Sequence, residues 1–155
     1  MSASLHPLPP RPAMALDPRP FRPQARARVR KMASTVQAGF PSPADDYLES
    51  VLDLNRHLII QGHEDSTFIL RVAGHSMVTA GIHDGDEVVV DRALAPKDGS
   101  VVVAVVNGEL TIKYLRFREG KPVLVAGNPH YADRAFAEGE ELTIWGVVTR
   151  VLHKV

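Results

Sequence analysis

The chain has 155 residues, 45% of them apolar, and as many basic as acidic side chains. That length suits one compact domain with an extra arm, and no apolar run approaches the roughly 18 residues a bilayer span needs. The absence of cysteine excludes disulfides, thiolate metal sites and a cysteine nucleophile.

The neutral total hides a division. Residues 1–38 carry Arg11, Arg19, Arg22, Arg26, Arg28, Arg30 and Lys31 against Asp17 alone, a net +6, so the remainder sums to −6. A basic arm on a mildly acidic domain is expected, not a basic nucleic-acid-binding fold, although such an arm can contact nucleic acid. Seven of the twelve prolines fall within residues 7–23. Proline removes backbone donors and blocks helix continuation, so this stretch is expected to be extended or disordered, a flexible tail. The arm has arginines but no apolar h-region, which argues against a secretory signal, and its prolines argue against a transit helix. Cytoplasmic location is the default expectation, and Met14 offers a second start within the arm.

Regular structure is expected from about residue 42. Ser42-Pro43-Ala44-Asp45 suits a helix N-terminus, with a serine cap, proline at the first helical position and an acid following. Tyr47, Leu48, Val51, Leu52 and Leu54 then suit one short helix or turn on a core, before Leu58-Ile59-Ile60. From residue 67 the pattern turns to β. Thr67–Val72, Glu87–Asp91, Ser100–Val106, Glu109–Phe117, Pro122–Ala126 and Leu142–Leu152 are rich in β-branched and aromatic residues, with turn residues between them. Asn107-Gly108 is a strong hairpin signal, and Gly81 to Asp86 and Pro96 to Gly99 are further turns. The fold class predicted is mainly β: a compact, mostly antiparallel domain, as a small barrel or folded-over sheet, behind the basic arm.

Two residues hold chemical interest. Ser76 follows a predicted strand in the glycine-flanked turn Gly74-His75-Ser76-Met77. Taken alone it is an ordinary turn serine. The elbow Gly-x-Ser-x-Gly is absent because position 78 is Val78. His75 is a poor base for its own neighbour, since adjacent side chains of an extended segment point apart. His57, His83 or His130 could complete a triad, but nothing around them favours one. Lys113 lies in Leu110-Thr111-Ile112-Lys113-Tyr114-Leu115, just after the hairpin turn. Strand parity sets Leu110, Ile112 and Tyr114 on one face and Thr111, Lys113 and Leu115 on the other. Most strand lysines are solvated, but one flanked by apolar neighbours is a candidate for burial. A buried lysine loses protons readily and can then activate a serine hydroxyl.

Taken as an ordered series, the motifs resemble the UmuD family, relatives of the LexA repressor's C-terminal domain within the self-cleaving S24 serine peptidases. The resemblance is carried by Ala38-Gly39-Phe40-Pro41-Ser42-Pro43-Ala44-Asp45-Asp46-Tyr47, Asp53-Leu54-Asn55, Gly74-His75-Ser76-Met77 and Gly81-Ile82-His83-Asp84-Gly85-Asp86. It continues through Asp91, Gly108-Glu109-Leu110-Thr111-Ile112-Lys113, Asn128-Pro129-His130-Tyr131 and Trp145-Gly146-Val147-Val148. It runs from about residue 35 to the C-terminus.

The resemblance implies a serine peptidase with Ser76 as nucleophile and Lys113 as general base. It makes Ala38-Gly39 the bond cut, so that residues 1–38 are removed and residues 39–155 form the peptidase domain. The oxyanion would lie against the backbone N–H groups of Ser76 and Met77, and Val36 could fill a small apolar subsite. No metal and no cofactor enter this chemistry. The resemblance also implies a homodimer, stimulation by RecA filament on single-stranded DNA, and a shortened product that joins a UmuC-type polymerase in SOS mutagenesis. LexA relatives carry a DNA-binding head, and no helical periodicity before residue 42 provides one here. Two departures stand out: His75 beside the serine, and an arm longer, more basic and richer in proline than is typical of the family. A LexA-like regulator and a non-catalytic accessory subunit are the alternatives.

Overall fold

The computed structural model describes residues 14–20, 28–32, 38–39, 48–137 and 139–155. The chain divides into two compact units, Met1–Phe21 with Ser66–Val155, and Arg22–Asp65. The predicted helix cap at Ser42 lies outside the described residues.

The first unit is a single antiparallel sheet, which bears out the mainly β fold class. Its strands are β1 (Met14–Pro20), β4 (Thr67–Ala73), β5 (Glu87–Asp91), β6 (Val101–Val106), β7 (Glu109–Arg118), β8 (Lys121–Val125), β9 (Arg134–Ala135) and β10 (Thr143–Leu152). They lie in the order β1-β4-β5-β10-β6-β7-β8-β9. The six strands predicted from residue 67 onward are all present, displaced at their ends by a residue or so. Period-2 alternation of valine and isoleucine selects these segments because branched side chains pack well on a pleated surface. The short β9 and, within the proline-rich arm, the extended segment β1 carry too little alternation to be read from sequence.

The β6–β7 hairpin forms at the predicted position. Asn107 and Gly108 have φ of 51° and 78°, the paired left-handed geometry of a two-residue turn whose twist matches the flanking strands. It sets the register in which Val102 faces Lys113 and Val103 faces Ile112.

Apolar side chains fill both faces. One cluster gathers Leu70, Val72, Met77, Ile82, Val88, Val90, Val103 and Ile112. The other gathers Val102, Ala104, Leu115, Leu124 and Val147. Each fully buried aliphatic side chain contributes roughly 1.5–3 kcal/mol, so these clusters are the main stabilising contacts of the unit. Phe68 packs edge-on against Trp145 with ring centroids 5.1 Å apart. The Arg92 guanidinium covers the indole at 4.7 Å.

The second unit contains the ribbon of β2 (Arg28–Met32) and β3 (Leu48–Asp53), followed by the short helix α1 (Leu54–Leu58). This corrects the expected helix or turn at residues 47–54, of which 48–53 is strand. Apolar residues at 48, 51, 52 and 54 satisfy either periodicity over so short a window, and the pairing of Val29 with Leu52 and Arg30 with Val51 decides for β. The helix starts only after Asp53, whose carboxylate caps it by accepting from the Asn55 N–H at 3.0 Å.

Candidate active site

Ser76 sits three residues beyond the end of β4, in a turn pinned from several directions. The Gly74 N–H donates to Asp84 Oδ1 at 2.7 Å. The His75 carbonyl accepts from Asn128 Nδ2 at 2.7 Å. Met77 is buried in the core, its sulfur accepts the Gly127 N–H at 3.2 Å, and the Thr79 N–H donates to the Gly127 carbonyl at 2.8 Å. The Met77 carbonyl accepts from Ala80 at 3.0 Å and Ile82 at 3.2 Å, winding the chain into a tight turn. Gly127 packs closely against this turn. A Cβ there would lie 3.1 Å from Met77 Cα and 3.2 Å from Thr79 Oγ1, tight enough that the turn would have to give by a few tenths of an ångström.

Held in this way, Ser76 is wholly buried together with Met77, while His75 beside it is exposed. The basic group within reach of the hydroxyl is Lys113, whose Nζ donates to Ser76 Oγ at 2.8 Å and to the Ile112 carbonyl at 3.1 Å. β4 and β7 are separated in the sheet by β5, β10 and β6, so this contact exists only because the sheet curls on itself; β1 likewise approaches β7.

Burial strips water from the ammonium and lowers the Lys113 pKa from 10.5 to about 8. Near neutral pH a fraction of this amine is therefore neutral, and a neutral amine at 2.8 Å from the hydroxyl can accept its proton. The arrangement can activate a hydroxyl for attack on an acyl carbon.

Ala38 and Gly39 lie in an exposed bend of the second unit, with Gly39 at φ 152°. Of the histidines weighed as partners for Ser76, His57 belongs to that second unit and His130 is exposed. His83 faces Asp86 instead.

Sequence reasoning did not anticipate the supporting residues. Asp84 and Asn128 were visible only as members of the ordered motif series and Gly127 not at all, and nothing local connected Gly127 or Asn128 to the serine turn about 50 residues earlier. The asparagine preceding Pro129 was the one usable signal, because it marks a turn with a free side-chain amide.

Comparison with known proteins places the chain in a family. The description Peptidase S24-like matches residues 31–149, a span that includes Ala38, Ser76 and Lys113. Protein ImpA of Salmonella typhimurium is 44% identical over 124 residues, 79% of this chain and 81% of ImpA. Protein MucA of Escherichia coli is 42% identical over 121 residues, 76% of this chain and 79% of MucA. The LexA repressor of Frankia alni is 39% identical over 120 residues, which are 77% of this chain but 45% of the repressor. With most of its length matched, and most of ImpA and MucA covered in turn, the chain belongs to the peptidase S24-like family, as a UmuD-like member.

Proposed function

We propose that this protein is a serine peptidase that cuts its own Ala38-Gly39 bond through a Ser76–Lys113 dyad. The observation that carries the reading is the 2.8 Å contact between a buried serine hydroxyl and a desolvated lysine amine.

In the proposed reaction neutral Lys113 takes the Ser76 proton as Oγ attacks the Ala38 carbonyl carbon. The oxyanion is held by the backbone N–H groups of Ser76 and Met77, a contribution of about 3 kcal/mol per donor in comparable sites. The lysine ammonium returns its proton to the Gly39 nitrogen as the peptide bond breaks. Water, deprotonated by the same amine, then hydrolyses the acyl-serine. The small side chains of Ala38 and Gly39 suit a bond that must thread into a narrow cleft, with Val36 in a small apolar subsite.

Cutting is slow until the arm is docked, because arm and lysine must leave water together; a RecA filament on single-stranded DNA that stabilises the docked arm accelerates it by population shift. Residues 39–155 then act as the dimeric accessory subunit of a UmuC-type, error-prone polymerase in the cytoplasmic response to DNA damage.

The test is to incubate the full chain at about pH 10, near the free lysine pKa, or near neutral pH with RecA filament, and to sequence the fragments. A new N-terminus at Gly39 is expected, and it should be lost in Ser76→Ala and in Lys113→Ala. No fragment under either condition, or equal cleavage in the variants, overturns the reading.

A further inference from the structure

A second group of chemically active side chains lies elsewhere in the first unit. Asp86 is 3% exposed, an unusual position for a carboxylate, and two histidines converge on it. His153 Nδ1 lies 2.6 Å from Asp86 Oδ1, and His83 Nδ1 lies 3.7 Å from Asp86 Oδ2. One ligand atom from each of the three residues falls within 4.8 Å of the other two.

The fold builds this cluster from two separate segments. His83 and Asp86 flank the tight turn entering β5, where the Asp86 N–H donates to the His83 carbonyl at 3.1 Å. The β5–β10 ladder pairs Glu87 with Leu152, so the next position along each strand sets Asp86 beside His153. The turn itself is anchored, since the Val72 N–H donates to the Asp86 carbonyl and the Gly85 N–H to the Val72 carbonyl, both at 2.8 Å.

We propose that His83, Asp86 and His153 form a binding site for a borderline divalent transition metal, with Zn2+ the ion the donor set fits best. Two imidazoles and one carboxylate provide three ligands of a four-coordinate zinc site, leaving a position for water or an exogenous group. The ligand softness matches zinc, copper or nickel better than magnesium or calcium, which prefer all-oxygen cages.

The carboxylate is already oriented, because the His83 backbone N–H donates to Oδ2 at 2.8 Å. Such an outer hydrogen bond holds a ligand in place before the ion arrives. Both imidazoles are about half exposed, with side-chain exposures of 52% and 54%, so an ion has an entry path and the rings can turn. Tetrahedral ligation at zinc-like bond lengths sets ligand atoms about 3.3–3.6 Å apart. His83 and Asp86, at 3.7 Å, lie just beyond that spacing, His153 and Asp86, at 2.6 Å, lie inside it, and the three ligand atoms span up to 4.8 Å, so both imidazoles turn to take up an ion. The proposal is independent of the Ser76–Lys113 chemistry.

The full chain, without any added histidine tag, is titrated with Zn2+ calorimetrically and with Co2+ by visible absorption, which reports four- or five-coordinate nitrogen and oxygen ligation. One equivalent per chain is expected, with a Co2+ absorption band and a Tm raised by several degrees at saturating Zn2+. His83→Ala and His153→Ala should each weaken Zn2+ binding roughly tenfold or more, and the double variant should abolish the band, whereas His57→Ala should change nothing. Circular dichroism of the exposed-histidine variants establishes that they fold. Absence of binding, or binding that survives in the double variant, overturns the site and leaves the three residues as an ion pair joining the end of β10 to the turn.

Discussion

Lys113 concentrates the chemistry and a cost in stability. Its folded pKa of about 8 lies below the ordinary 10.5, so between these values the unfolded chain binds the extra proton and stability rises with pH. Below about pH 8 the penalty for charging a desolvated amine is present in full. Lys113→Met should therefore stabilise the fold at pH 7, by about 2 kcal/mol after allowing for partial exposure and for the Ser76 hydroxyl left without its partner. Urea denaturation of the two proteins at pH 7 and pH 10 measures this, and the gain should shrink at the higher pH. The same group sets the predicted rate profile. Self-cleavage should rise with pH through a midpoint near 8 and then level off, as the neutral amine becomes fully populated. Lys113→Arg should remove cleavage at all these pH values, because a guanidinium does not surrender its proton. A midpoint near the free lysine value would show that the amine is solvated when it acts.

At the scale of elements, the serine turn is held by a loop distant in sequence, the one that follows β8. Asn128→Ala removes the amide that binds the His75 carbonyl. It should lower stability by only about 1 kcal/mol and slow self-cleavage about tenfold, because misplacement of a nucleophile is costly to rate. Comparing cleavage rate with thermal midpoint separates positioning from simple loss of fold. Gly127→Ala should be harsher, destabilising by about 1–3 kcal/mol, since its methyl group would press on the Met77 backbone at 3.1 Å and shift the serine turn. Legibility followed local strength at this scale. The long strands β4 to β8 and β10 declared themselves through alternation, and Asn107-Gly108 marked its turn by chemistry that only left-handed backbone requires. Leu48–Asp53 misled because its apolar spacing fits helix and strand alike, and its ribbon partner Arg28–Met32 was hidden in a basic run.

At the scale of the whole molecule, charge division gives the proposed cut a physical consequence. Removal of residues 1–38 detaches a segment of net +6 and leaves an acidic product of net −6. The uncut Ser76→Ala chain should bind single-stranded DNA more tightly than the 39–155 product, with an advantage that vanishes as salt is raised. Equal affinity and equal salt dependence of the two forms would mean that the arm makes no phosphate contacts. The sequence by itself determined the β class, the principal strands, the central hairpin and the charge division, because alternation, turn chemistry and composition are local properties. It also named Ser76 and Lys113 through their place in an ordered motif series. Only the tertiary structure decided that the two meet and that the lysine is partly desolvated. It alone also brought Asn128 to the serine turn and His153 to Asp86. Those outcomes depend on how a sheet curls and on the register of strands far apart in the chain, and burial is a property of the folded surface that no short stretch of residues encodes.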